Sequence, residues 1–268
     1  MPGYSSREIM AIVAARQIRD NEIVFCGTGI SMLAAMAAKR ISAPQSVIVF
    51  ETGAIDSGLA QIPLTVADLR VMSGTCVNAG LADAFSLIQN RVTGGSVVGI
   101  LGAAQIDRHG NLNSTALGDY ARPDRRFPGS GGACDVASLV GRTIIFMQQE
   151  KRRFVPALDY LTSPGWLDGP GGREKAGLPP GGPSAVITNM AIMRFDDRTR
   201  QMVLAGCYPG IAPADVLDNM GFDVDVSRAE QVPPPSRSEL KILREQCDPQ
   251  RLILESTEGE TFLEIREG

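Results

Sequence analysis

Short apolar β runs alternate in this chain with stretches of helical periodicity. The runs are "IVF" within "EIVFCGTGIS", "SVIVF" ending at Phe50, "SVVGILGA" (Ser96–Ala103) and "RTIIFM" (Arg142–Met147). Runs without polar alternation are buried on both faces, which is the habit of parallel sheets covered by helices. Ser5 and Glu8 have capping-box spacing, and Ile9, Ile12, Val13 and Ala15 follow at helical period. "MLAAMAAKR" and "ADAFSLIQN" read as further helices. The expectation is an α/β fold with an open, largely parallel sheet flanked by helices.

After Gln148 the texture changes. "SPGWLDGPGGREKAGLPPGGPS" (Ser163–Ser184) is dense in Pro and Gly and predicts a long irregular loop of functional or partner-facing character. "AVITNMAIMRFDDRTRQMVLAGCYPG" predicts two antiparallel strands joined around Asp196–Arg198. "PADVLDNMG" predicts a short helix stopped by Gly221, and "SRSELKILREQCDPQR" a final helix before a polar tail. Neither an internal repeat nor a low-complexity linker occurs, so residues 1–268 are expected to form a single domain.

Composition removes several functions. The net charge is −4 and no basic block occurs, which argues against nucleic acid as a partner. The N-terminal stretch is too charged for a secretory segment and no apolar run approaches a membrane span. Five dispersed cysteines (Cys26, Cys76, Cys134, Cys207, Cys247) without a CxxC pair suggest reduced thiols and a cytoplasmic protein. The one histidine, His109, lies in a polar glycine-bearing turn and is expected to be a solvated loop residue. Multi-histidine metal sites are therefore out of reach, and no metal is expected. Any acid–base or nucleophilic work falls mainly to carboxylates, backbone amides or the substrate.

"GTG" at Gly27–Gly29 follows a strand but lacks the third glycine of a dinucleotide fingerprint, Met32 standing in its place. A tight turn before a closely packed helix accounts for it. "FPGSGGACD" is more informative: Gly129, Gly131 and Gly132 surround Ser130 and are followed by Ala133. Such a run is either an ordinary flexible turn or a concavity of outward-pointing N–H groups that holds an anion. Ser130 lacks the strand–elbow setting of a nucleophile, and Cys134 reads as packing. In "VIVFETG", Glu51 ends a buried-looking strand and Gly53 follows two residues later. Glu51 either marks where the strand meets solvent or is kept for chemistry. A carboxylate can act as a covalent nucleophile while backbone amides hold the oxyanion, provided the two loops meet. Gly53 would let a bulky acyl group come close.

At these residues the sequence resembles the class I coenzyme A transferases, and among them the glutaconate CoA-transferase beta subunits. The likeness runs through "YSSREIM", "FETGAIDSG", "GAAQIDRHGNLNSTALGDY", "RRFPGSGGA", "MQQEKRRF", "DYLTSPGWLDGPGGRE" and "LDNMGFDVDVS". The resemblance implies the open α/β CoA-transferase (NagB/RpiA-like) fold, with the active site at an interface with an alpha subunit. It implies acyl-CoA and carboxylic acid substrates, with coenzyme A as a substrate and no cofactor. In that family an E-x-G glutamate, here Glu51, attacks the thioester, and ping-pong transfer proceeds through a mixed anhydride and a glutamyl-CoA thioester. The G-x-G-G loop, here Gly129 to Gly132, lies on the oxyanion side, which gives the donor amide to Gly132 or Ala133. Phe50 and Thr52 flank the acid where fused 3-oxoacid transferases read S-E-N-G, which argues against that branch. Decarboxylating members of the fold carry cysteine in place of the glutamate, so Glu51 favours a transferase. The alternatives are an acyl-CoA hydrolase or decarboxylase of the same fold, or a non-catalytic structural subunit. A degenerate subunit would have no reason to keep both E-x-G and the glycine loop.

Overall fold

The computed structural model describes residues 3–59 and 61–255. In chain order the first strands are β1 (Ile23–Phe25), β2 (Val47–Val49), β3 (Ala54–Ile55), β4 (Val77–Asn78) and β5 (Val97–Gly102). Four short ones follow, β6 (Gln105–Ile106), β7 (Leu112–Asn113), β8 (Ala116–Leu117) and β9 (Arg125–Arg126). The last are β10 (Arg142–Phe146), β11 (Pro183–Ile187), β12 (Ala191–Phe195), β13 (Met202–Cys207) and β14 (Glu230–Gln231). The helices are α1 (Ser6–Ala15), α2 (Ile30–Ile41), α3 (Leu81–Gln89), α4 (Arg91–Gly94), α5 (Ala133–Leu139), α6 (Gly172–Lys175), α7 (Pro213–Asp218) and α8 (Arg237–Ile242).

Ten strands form one sheet in the order β14-β13-β12-β11-β10-β5-β1-β2-β3-β4. Its centre, β2-β1-β5-β10-β11, is parallel, and antiparallel hairpins extend it on both sides. Successive residues of the central strands are buried on opposite faces. Val24, Ile48, Val98 and Ile144 pack with α1 and α2, while Phe25, Val49, Val97 and Val136 form a second core under α3 and α5. That double burial is why these strands read as unbroken apolar runs. The capping box at Ser5 and Glu8 forms as the spacing predicts, and α1 and α2 pack on each other.

The strand order places a reversal between β1 and β5: the chain steps one way from β1 to β2, then returns and continues through β5, β10 and β11. In open α/β sheets the crevice beyond the carboxyl ends of the strands at such a reversal is where ligands bind. Glu51 follows β2 there, and the 129–132 loop leads from the β5 side into α5.

Two expectations need correction. Ser163–Ser184 is not uniformly irregular: it contains the single turn α6, with Gly172 and Arg173 buried, and runs into β11 at Pro183. "AVITNMAIM…" makes three strands where two were expected. β12 and β13 do join around Asp196–Arg198, but β11 also turns back tightly into β12. Thr188 closes that turn, its Oγ1 accepting from the Met190 and Ala191 N–H groups at 3.1 and 2.9 Å. The polar tail at 256–268 lies outside the described residues.

Candidate active site

Glu51, Thr52 and Gly53 form the loop of a hairpin between β2 and β3. Phe50 N–H donates to the Ala54 carbonyl and Gly53 N–H to the Phe50 carbonyl, both at 3.0 Å. A three-residue hairpin loop of this kind needs a left-handed third residue, and Gly53 has φ +97°. A Cβ at Gly53 would lie 2.0 Å from the Ala79 carbonyl oxygen, and the Gly53 carbonyl accepts from Ala79 N–H at 2.9 Å. Gly53 is therefore required by backbone packing. Its N–H is committed inside the loop and its α-carbon faces Ala79, so neither oxyanion donation nor room for an acyl group follows from it. What the turn does is lift Glu51 off the end of β2.

The Glu51 carboxylate is half-buried and has no hydrogen-bond or ion-pair partner among the described residues. Beside it, Thr52 Oγ1 is buried without a partner. The glycine loop is the neighbour that the carboxylate does have: Oε2 lies 3.2 Å from where a Cβ on Gly132 would stand. The two loops meet within this one chain. The same absent Cβ would stand 2.4 Å from Cζ of Phe85, on α3, whose ring sits edge-on to Phe25 at 5.5 Å. The Phe85 ring and the Glu51 carboxylate thus both border the space that a Gly132 side chain would take.

Inside the loop the three glycines have different jobs. Gly129 (φ +96°) and Gly131 (φ +50°) are set by conformation, since a Cβ on either would meet nothing within 4 Å. Gly132 is set by space, with ordinary helical angles (φ −79°, ψ −3°) at the start of α5. Gly129 N–H donates to the Ser114 carbonyl at 3.1 Å, and Ala133 N–H to the Ser130 carbonyl at 2.9 Å. Ser130 Oγ accepts from Cys134 N–H at 2.9 Å, which ties it to the first turn of α5. Ala133 N–H is thus committed within the loop, unlike its neighbour Gly132. The Gly131 and Gly132 N–H groups have no partner among the described residues.

Other candidates fall away. His109 is half-buried, and its Nδ1 lies 3.1 Å from the Arg200 carbonyl, so it is a tethered residue and not the solvated one expected. Cys26, just past β1, is buried, and burial pushes its thiol up to about 12, leaving no thiolate near neutral pH. Gly27–Gly29 precedes α2 as expected, but neither glycine is crowded; Gly29 is required by φ +78°. Among the described residues no cluster of three or more His, Cys, Asp or Glu could hold a metal. Phe85, Thr52 and Ser114 were missed as site residues. Ser114 lies in "GNLNST", a block the resemblance included without a role.

The model of the family described as Coenzyme A transferase matches residues 7–219. The chain is 42% identical over 265 residues to the B subunit of glutaconate CoA-transferase from Acidaminococcus fermentans, covering 98% of this chain and 96% of that one. It is 34% identical to the B subunit of 3-oxoadipate CoA-transferase from Pseudomonas knackmussii, covering 91% and 94%. The crystal structure of glutaconate coenzyme A-transferase from Acidaminococcus fermentans superposes with a TM-score of 0.92 over 95% of this chain and 98% of that one.

Proposed function

Because the chain belongs to the coenzyme A transferase family, as a class I beta-type subunit, we propose that Glu51 is its acyl-accepting nucleophile. The observation that carries this reading is the unpaired Glu51 carboxylate, lifted by a hairpin against the Gly132 end of a loop with free N–H groups. A Glu51 oxygen attacks the thioester carbonyl, and the C–S bond breaks to release CoA thiolate and leave a mixed anhydride. The thiolate then attacks the glutamyl carbonyl. The anhydride C–O bond breaks, the first acid leaves as its carboxylate, and Glu51 holds CoA as a thioester. An acceptor carboxylate runs the same steps backwards.

One negative charge passes from carboxylate to oxyanion to thiolate and back, and no proton is transferred. That is why a site whose chain has a single histidine, tethered elsewhere, suffices. What the chemistry needs is donors aimed at the tetrahedral oxyanion, and the free N–H of Gly132, with Gly131 beside it, supplies them. Coenzyme A enters as a substrate and no cofactor takes part.

CoA moves between an acyl-CoA and a glutaconate-like dicarboxylic acid, a choice supported by the 42% identity to the glutaconate enzyme's B subunit. The second half of the site comes from an alpha subunit in a hetero-oligomer. Supporting this, Leu64, Leu69, Val77 and Leu81 are 50–85% exposed in the segment that follows the Glu51 hairpin. No described helix is long and apolar enough to cross a membrane, and the complex works in the cytoplasm, where acyl-CoA is found.

Intact-mass spectrometry of the two-subunit complex, given donor but no acceptor, tests the nucleophile. This subunit should gain one CoA less water, mapping to Ser46–Gly58, and should lose it when an acceptor acid is added. Glu51→Ala should abolish adduct and transfer while the complex still assembles. An adduct on the alanine variant would end the assignment.

A further inference from the structure

Arg173 is an unusual residue to find inside this protein. It is 3% exposed, and none of the ion pairs among the described residues involves it. A buried guanidinium without a counter-ion is costly unless hydrogen bonds compensate it. Here the partial compensation is all backbone: Nη1 donates to the Ala137 and Gly165 carbonyls at 3.1 and 3.0 Å and Nη2 to the Ser138 carbonyl at 2.8 Å, while the buried Nε has no partner among the described residues. Ala137 and Ser138 belong to the last turn of α5, whose opposite end begins at Gly132. A cation also suits the carbonyl end of a helix electrostatically.

The other end of the loop is held just as specifically. Ser114 is buried, and its Oγ donates to the Gly129 carbonyl at 3.0 Å while its own carbonyl accepts from Gly129 N–H. Ser114 N–H in turn donates to Thr162 Oγ1 at 2.9 Å. Between the two anchors α5 lies close on the sheet: a Cβ at Gly99 of β5 would stand 2.3 Å from Val136 Cγ1. Loop and helix together form one unit pinned at Gly129, at Val136 and at Ala137–Ser138.

We propose that Ser114 and Arg173 are positioning residues that set the Gly132 N–H against the Glu51 carboxylate, by clamping the two ends of this unit. The inference rests on the reading of Gly132 as oxyanion donor. The Pro/Gly-rich segment after Thr162 thereby acquires a purpose, since it carries Arg173 beneath the end of α5. A helix transmits displacement along its axis with little loss, and an error of about 1 Å at a reacting centre can cost about a hundredfold in rate.

The test is single-turnover formation of the CoA adduct in the assembled complex. Arg173→Met should lower the saturating rate constant by about 10- to 100-fold, with the half-saturating acyl-CoA concentration changed less than about threefold. Arg173→Lys, which keeps the cation but loses the fork, should recover part of that loss. Ser114→Ala should lose about three- to tenfold. Rates are referred to assembled complex by sedimentation, so a purely structural role would lower yield and melting temperature while leaving the rate constant alone. Should Arg173→Met fail to assemble, Arg173→Lys and Ser114→Ala decide. Wild-type rate constants in these variants beside a slowed Gly132→Ala overturn the clamp alone. A wild-type rate constant in Gly132→Ala overturns the donor reading beneath it.

Discussion

Gly132→Ala is the smallest change that separates the oxyanion reading from a mere turn. Its backbone angles suit alanine, so the cost is not conformational strain. The cost is contact. The new methyl would stand 2.4 and 2.9 Å from Cζ and Cε1 of Phe85 and 3.2 Å from Glu51 Oε2. Carbon atoms rest at about 3.5–4.0 Å, so ring and loop must part by about 1 Å. The ring is backed by Phe25, which is buried at the end of β1, so the loop takes part of the separation at Gly131 and Gly132, between its pinned ends. A displacement of that size takes a donor from about 2.9 Å to beyond hydrogen-bond range. Loss of one oxyanion donor typically costs about 2.7–4 kcal/mol, a factor of about 10²–10³ in rate. Overpacking by one methyl should cost only about 1–3 kcal/mol in stability. The assay is the saturating rate of adduct formation, read together with thermal unfolding of the complex. Trimming the wall with Phe85→Ala should restore much of the Gly132→Ala rate, because the clash and not the methyl itself moves the loop. A Gly132→Ala complex that forms adduct at the wild-type rate would refute the reasoning.

Burial alone would raise the Glu8 carboxyl, but the Arg244 hydrogen bonds, the Ser5 N–H and the charge of Arg251 outweigh it and hold Glu8 below its ordinary 4.5. Its contribution to stability is therefore complete above pH 4.5 and lost as the pH falls through the lower folded value, so Glu8→Gln should flatten the acid limb of the melting-temperature profile. At neutral pH the same variant should cost about 1–2 kcal/mol, less than a fully buried pair because Arg244 is one-third exposed. Tyr208 is 3% exposed with a hydroxyl that has no partner among the described residues. Tyr208→Phe should be neutral or stabilising by up to about 1 kcal/mol, a rise of about 2–4 °C on melting; a marked loss would mean that the hydroxyl is bonded in solution.

The central sheet was legible because β1, β2, β5 and β10 are buried on both faces and leave unbroken apolar runs. The capped start of α1 was legible because both partners lie within four residues. The β11–β12 turn was not, since neither Gly nor Pro marks it; a buried threonine hydroxyl replaces the usual turn chemistry. At the site, the strand-end charge left Glu51 open between a solvated end and a functional carboxylate, and the family resemblance gave it a role. Gly129, Gly131 and Gly132 read as one motif, yet two answer to backbone angle and the third to the space taken by Phe85 and Glu51. Phe85 looks like any apolar residue of an amphipathic helix. Arg173, in a stretch of Pro, Gly and charge, carries no one-dimensional sign that it lies under α5.

A transfer in which no proton moves asks little of side-chain chemistry and much of backbone placement. On the proposed reading the groups this chain offers the reaction, Glu51 apart, are N–H groups, and substitution cannot tune an N–H as it can a histidine or a carboxylate. It can be adjusted only by moving the peptide that carries it. Selection for rate must then act at a distance, on what fixes the peptide: the Ser114 hydroxyl at Gly129, the bare Gly99 beneath Val136, and the Arg173 fork on the carbonyls of Ala137 and Ser138. The Glu51 turn obeys the same logic, with Gly53 packed on the Ala79 carbonyl and the half-buried carboxylate set beside the loop. On that reading, buried residues with no contact to substrate carry rate effects of their own, smaller than that of Glu51 itself. If the loop amides are the donors, substituting these buried residues should slow both half-reactions together, since each passes through a tetrahedral oxyanion held by the same amides.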